Sequence, residues 1–204
     1  MIPDLPPSPI PYDRPLILAS GSPRRRDLLA KAGYEFTVEP PDDAAECGIC
    51  SREQTYEMVA RLAMQKAADV AKRVGPSLVL AADTLADCKG QILGKPANRT
   101  HAERMMRLLS GQLHTVYTGV CLWLLPERRV LVDVSVTTLK MRPISELELE
   151  KHLDSDRWCG KAAAFGFQDD NDWLRVLKGS ESNVVGLPLE RLAELLLRFD
   201  ELAI

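Results

Sequence analysis

Two hydrophobic periods divide the chain. Short apolar runs of strand length are Leu16–Ala19 and Leu78–Ala82, each bounded by turn residues. Tyr34–Val38 alternates as a short strand. Leu113–Leu125 and Val130–Lys140 are longer β patterns joined by Pro126-Glu127-Arg128-Arg129, which predicts a hairpin. Leu85 to Leu93 reads as a smaller hairpin turning near Asp87–Gly90, and Trp173–Leu177 as a last strand. Helical period appears between them. Pro23 suits a first helical position, and Gly33 stops that helix as a left-handed cap. Ser51–Gln54 has the capping-box pattern and opens a long helix to about Val74, ended by Gly75-Pro76. Thr100–Glu103 and Ser145–Glu148 repeat that pattern for two further helices, the first ending at Ser110-Gly111. Gly179 to Pro188 reads as a glycine-bearing loop, after which an amphipathic helix runs to about Phe199. Strands alternating with helices predict an α/β fold.

The stretch Leu16–Leu29 concentrates the chemistry. A buried strand runs into Ser20-Gly21-Ser22, whose small side chains let a ligand approach the backbone. The helix that follows opens with Arg24, Arg25 and Arg26, although helix starts favour acidic residues. A phosphate or other polyanion resolves that conflict, because it matches both the free N–H groups and the arginines. Val59, Ala63, Lys66 and Val70 share one helix face, so Lys66 sits among inward apolar residues. It either snorkels to the surface or reaches a phosphate. The strand Leu78–Ala82 delivers Asp83 and Thr84 at its C-terminal end, where α/β sheets bind ligands. Gly90 to Lys95 is not a P-loop: it is one residue short between the glycines, and proline stands where Ser or Thr would bind magnesium. Lys95 remains a phosphate candidate. The loop acids Asp42, Asp43 and Glu46 are solvated or hold a divalent cation. Cys47 and Cys50 have no second ligand pair and read as loop thiols. Thr115, Tyr117 and Thr118 read as sheet surface, and the three histidines as structural or surface residues.

Composition adds limits. At 204 residues the chain holds one large domain or two small lobes, and 46% hydrophobic content supports a packed core. The formal net charge of -3 gives no basic footprint for nucleic acid, so anion binding must come from local clusters. No apolar run is long enough to span a membrane. Residues 1–14 are proline-rich, lack a signal-peptide pattern and read as an extended, mobile leader. Five scattered cysteines fit a reducing cytoplasm.

Leu18–Arg25, Ala82-Asp83-Thr84, Ile92–Pro96, Leu109-Ser110-Gly111 and Asn183–Leu189 together resemble the Maf family of nucleoside triphosphate pyrophosphatases, also called septum-formation inhibitors. The resemblance runs from about Leu16 to Leu197. It implies an ITPase-like α/β fold, a mixed sheet with flanking helices and two lobes around a central cleft. It also implies hydrolysis of a nucleoside triphosphate to the monophosphate and pyrophosphate with a divalent metal, Mg²⁺ or Mn²⁺, and a possible homodimer. Asp83 matches the family's proton acceptor and, with Glu46, its metal site. Ser20, Arg24, Arg25, Lys66 and Lys95 match its phosphate contacts. Phe165-Gly166-Phe167-Gln168 is similar to the pattern of the dTTP/UTP branch, which makes Arg24, Thr84 and Gln168 the specificity positions. Two departures stand out: Ala163 replaces a usual glycine, and Phe165 a tyrosine. The alternative from another class is a nucleotide-binding regulator of cell division that does not depend on catalysis.

Overall fold

A computed structural model of the chain describes residues 7–42, 53–167 and 172–204. Seven strands form one mixed sheet: β1 (Leu16–Leu18), β2 (Thr37–Val38), β3 (Leu78–Cys88), β4 (Gln91–Leu93), β5 (Leu113–Leu124), β6 (Arg129–Met141) and β7 (Leu174–Lys178). The order is β2-β1-β3-β5-β6-β7, with β4 also paired to β3. β2, β1 and β3 run parallel; the other pairs are antiparallel. The helices are α1 (Pro23–Lys31), α2 (Thr55–Ala71), α3 (Arg99–Leu109), α4 (Glu146–Asp154), α5 (Glu181–Val185), α6 (Leu189–Leu197) and α7 (Phe199–Leu202). No helix among the described residues is long and apolar enough to cross a membrane.

The period-2 pattern of the three long strands divides the core by face. Leu78, Leu80 and Ala82 of β3 pack with Val120, Leu122 and Leu124 of β5 against α1, α6 and Phe199. Further along the same face, Ala86 and Cys88 join Val116, Leu139 and Met141 under α3 and α4. The opposite face is covered by α2, through Val59, Ala63, Ala67 and Val70. Two cores thus stand on two halves of the same strands, as expected for two lobes. Burial of each such leucine or valine contributes about 1.5–3 kcal/mol.

Several boundaries differ from the sequence reading, each for a local reason. α2 starts three residues later than expected: Gln54 is the cap and forms a capping box with Glu57, close to the first buried apolar residue, Met58. Ser51 of the expected box lies outside the described residues, and the helix ends at Ala71 rather than Val74. α3 is capped by Asn98, whose side chain accepts from the His101 N–H at 2.9 Å, rather than by Thr100. Asparagine is the stronger cap. The expected loop Gly179–Pro188 contains α5, because Ser180 caps it by accepting from the Asn183 N–H and Gly186 closes it at φ 123°. Residues 7–14, the described part of the expected leader, contact the body: Tyr12 donates to Asp200 at 2.8 Å, and Arg14 pairs with Glu127 at 2.7 Å.

The largest difference concerns β3. The apolar run and the first arm of the expected hairpin are one strand of 11 residues, with β4 as the second arm, so Asp83 and Thr84 sit in the middle of β3 and not at its end. On one edge of β3, β1 pairs only with Leu78–Leu80 and β4 only with Ala86–Cys88. Residues 81–85 therefore have no strand partner on that edge, and an opening is left between the two lobes.

α2 closes on the sheet at one tight point. A Cβ built on Gly119 of β5 would overlap the backbone carbonyl of Val59. Gly119 also pairs directly with Asp83 across the ladder. Gly119→Ala is expected to push α2 off the sheet and to destabilise the protein by about 3 kcal/mol, at the upper end of overpacking costs. Chemical denaturation of wild type and variant checks this; an unchanged midpoint would show that the contact is not tight.

Candidate active site

The opening beside β3 is a cleft of about 830 Å³. One wall is the turn Ser20–Ser22 with the first turn of α1. The other walls are α2, the Lys95 loop, residues 159–162 and 165–167, and the end of α5. Its described lining carries five cationic side chains, Arg24, Arg25, Lys66, Lys95 and Lys161, against one carboxylate, Asp83. That surplus, beside a helix N-terminus, favours an anionic ligand. Ser22 is the N-cap of α1 but makes no side-chain cap bond, and no acidic residue stands in the first turn.

Asp83 and Lys66 meet at the centre. Lys66 reaches in from α2 on the face shared with Val59, Ala63 and Val70, and its Nζ lies 2.5 Å from Asp83 Oδ1. Both residues are buried, at 5% and 9% exposure. Lysine therefore does not snorkel to the surface; a buried carboxylate holds it. A pair this deep is retained at a desolvation cost, and removing either partner leaves an uncompensated charge.

Arg25 is fixed by three bonds. Its Nε donates to Gly186 O at 2.8 Å, Nη1 to Ser20 Oγ at 3.2 Å and Nη2 to Thr84 Oγ1 at 3.1 Å. Ser20 Oγ also accepts from the Ser22 N–H at 3.2 Å. A hydroxyl that accepts twice keeps its proton to donate toward the cleft. Thr84 Oγ1 lies 2.9 Å from Thr118 Oγ1 and 3.4 Å from Gly186 O, so its hydroxyl is engaged by protein. Arg24 donates to Gly160 O at 3.3 Å across the mouth, and Lys95 is exposed on the rim. Arg26 is turned away, exposed, with Asp27 4.0 Å distant, and does not line the cleft. The helical rotation of 100° per residue explains why two of the three arginines serve one site. Glu46 and Gln168 lie outside the described residues, as do Asp43, Cys47 and Cys50.

Thr118 corrects the sequence reading. It is fully buried, and its hydroxyl donates to Asn183 O at 3.2 Å. Asn183 in turn donates to Thr137 Oγ1 at 2.8 Å. The strand alternation Val116-Thr118-Val120 carried this information, since all three share the inward face. Lys161 and the Gly186 carbonyl were not singled out either. A main-chain acceptor leaves no signal in residue identity. His114 and His152 are structural, as expected: burial holds the His114 ring down to about 4, and His152 Nε2 is 2.9 Å from Ala164 O.

Among the described residues the cleft offers a metal ion one carboxylate, Asp83. Among the described residues no three His, Cys, Asp or Glu side chains gather as a ligand set. A hard cation such as Mg²⁺ is commonly held by one or two carboxylates together with substrate phosphate oxygens. Asp83 beside a cationic cleft fits that arrangement and no closed, all-protein metal cage.

The model of the Maf-like protein family matches residues 15–199. The chain belongs to the Maf family. It is 62% identical to a dTTP/UTP pyrophosphatase of Rhodopirellula baltica over 199 residues, covering 97% of this chain and 88% of that protein. It is 42% identical to a dTTP/UTP pyrophosphatase of Halalkalibacterium halodurans, covering 87% and 92%. A dTTP/UTP pyrophosphatase of Dictyoglomus thermophilum is 39% identical, with 90% and 95% covered.

The buried pair yields a stability test. Lys66→Met is expected to destabilise this Maf-family chain by about 3 kcal/mol or more, because it strands the Asp83 carboxylate. Adding Asp83→Asn to Lys66→Met should recover more than about 1 kcal/mol, the mark of direct coupling. Strictly additive effects in a double-mutant cycle would mean that the two side chains do not depend on each other.

Proposed function

We propose that this chain hydrolyses dTTP and UTP to the nucleoside monophosphate and pyrophosphate. The observation that carries this reading is the Asp83–Lys66 pair in the unpaired stretch of β3, facing the cationic cleft and the open N-terminus of α1. Relatives with the same activity in their names share most of the chain's length.

The residues divide the work by position. Arg25 is held by its three bonds before substrate arrives, so its charge stabilises the departing pyrophosphate without reorganising. Ser20 donates its hydroxyl proton, and Arg24 and Lys95 add cations from the rim. Lys66 has three ammonium protons, and a phosphate oxygen entering the cleft competes with Asp83 for them. As Lys66 turns toward phosphate, Asp83 becomes available to orient a water molecule and accept its proton. The water oxygen bonds to the α-phosphorus as the bond from the α-phosphorus to the bridging oxygen breaks, and that oxygen leaves with pyrophosphate. A divalent cation, Mg²⁺ or Mn²⁺, held by Asp83 together with the substrate's own oxygens, would supply further charge neutralisation. Glu46 is the second ligand expected from the family resemblance. Gln168 carries both a donor and an acceptor for the polar edge of a pyrimidine. Thr84 acts on specificity by holding Arg25 and shaping the cleft wall, since its hydroxyl is already engaged.

The test is pyrophosphate release from a panel of nucleoside triphosphates with Mg²⁺ or Mn²⁺. Release should be strongest with dTTP and UTP and fall by at least about 10² in Asp83→Asn, with the variant folded by circular dichroism. Near-normal turnover in that variant would remove Asp83 from the reaction, and release favouring a purine would remove the substrate assignment.

A further inference from the structure

Behind Thr84 lies a second, smaller hollow. It has room of about 40 Å³, enough for two or three groups the size of water. It shares Thr84, Ala162, Phe165, Phe167 and Val184 with the cleft, so it forms the rear of the same site. Its remaining lining is apolar except for His114. Resting on the pyrimidine reading above, we propose that this hollow is the subsite for carbon 5 of the base: the apolar C5–C6 edge of the ring enters it, with the methyl group of thymine inside.

Polarity selects which edge enters. A pyrimidine carries its carbonyl oxygens and ring N–H on one side and two C–H or C–CH₃ positions on the other. Thr84 Oγ1 at the mouth already accepts from Arg25 and meets Thr118 and Gly186. Inserting the carbonyl edge would strand polar atoms against Ala86, Val116 and Val184, which is unfavourable. His114 does not offer a partner at the mouth. It stands four residues along β5 from Thr118, the cross-strand neighbour of Thr84, and is the one polar side chain of the remaining lining, with its Nδ1 buried and without a hydrogen-bond partner among the described residues. Its ring is kept neutral at ordinary pH by burial. Size makes the same selection, because the hollow takes a methyl group and not a whole ring.

The walls are held in place. Phe165 stacks on Trp173 with ring centroids 5.4 Å apart. Ala163 and Ala164 lie in the left-handed region at φ 57° and 60°, and the Ala163 N–H donates to Gly94 O at 2.9 Å, one residue before Lys95. The same segment therefore shapes the hollow and anchors the loop that carries a phosphate cation.

The experiment compares dTTP with dUTP, which differ only in the methyl group. Wild type should prefer dTTP in kcat/KM by about tenfold, the usual worth of one methyl group in an apolar pocket. Ala86→Val fills the hollow from its floor. It should bring the dTTP/dUTP ratio to about one or below, with the variant folded by circular dichroism. A wild-type series needs no substitution: 5-bromo-dUTP should behave like dTTP, and 5-propynyl-dUTP, too long for the hollow, should fall at least about tenfold below dUTP. Equal turnover of dUTP, dTTP and 5-propynyl-dUTP would overturn the proposal, since carbon 5 would then face open cleft. If wild type releases no pyrophosphate from either nucleotide, the hydrolytic reading fails. The same ratios taken from dissociation constants, measured by calorimetry, then decide the subsite independently.

Discussion

The buried ion pair between Lys66 and Asp83 is the contact on which the architecture of the site depends. It joins the centre of α2 to the centre of β3 at a point where both side chains are out of water. Each is the counter-charge of the other, and removing one strands its partner out of water. The pair ties α2 to β3 at the centre of the cleft wall.

That arrangement requires the edge of β3 to be open. β1 stops after pairing Leu80, and β4 begins at Ala86, so five residues of a long central strand face a gap. Side chains alternate across a strand, so Asp83 turns to the α2 face and Thr84 to the other. Successive residues thereby serve two structures. Asp83 meets Lys66, while Thr84 starts a buried run of hydroxyl and amide groups through Thr118, Asn183 and Thr137 to the start of α5. Through Arg25 this run also ties α1 to the Gly186 carbonyl at the end of α5. Both sides of the cleft are thus braced from the same dipeptide.

Much of this was legible in the sequence, and for local reasons. Ser20, Arg24 and Arg25 follow a strand and open a helix, a pattern whose chemistry is short-range. The α2 periodicity placed Lys66 inward but left its partner open, because Asp83 is 17 residues away and the meeting depends on how the helix docks. The sequence places Asp83 at a strand end and not within β3, because a central strand and the arm of a hairpin have the same local pattern. Only the pairing partners on the edge show where one ends. Thr118 reads as surface because threonine is ordinarily exposed, although its alternation points inward. Main-chain acceptors such as Gly186 O carry no residue signature at all. Ala163 shows the reverse case: the missing glycine was visible in the sequence, and the fold accepts alanine at φ 57° there, at a cost of about 1–2 kcal/mol.

The most direct measurement is a crystal structure with a dUTP analogue whose α,β-bridging oxygen is replaced by nitrogen, so that it cannot release pyrophosphate. The triphosphate is expected to lie along Ser20, Arg25 and Lys95, with Lys66 Nζ moved from Asp83 to a phosphate oxygen and Asp83 facing the α-phosphorus across a water molecule or a cation. An analogue bound with the Lys66–Asp83 pair intact and its α-phosphorus remote from Asp83 would contradict it.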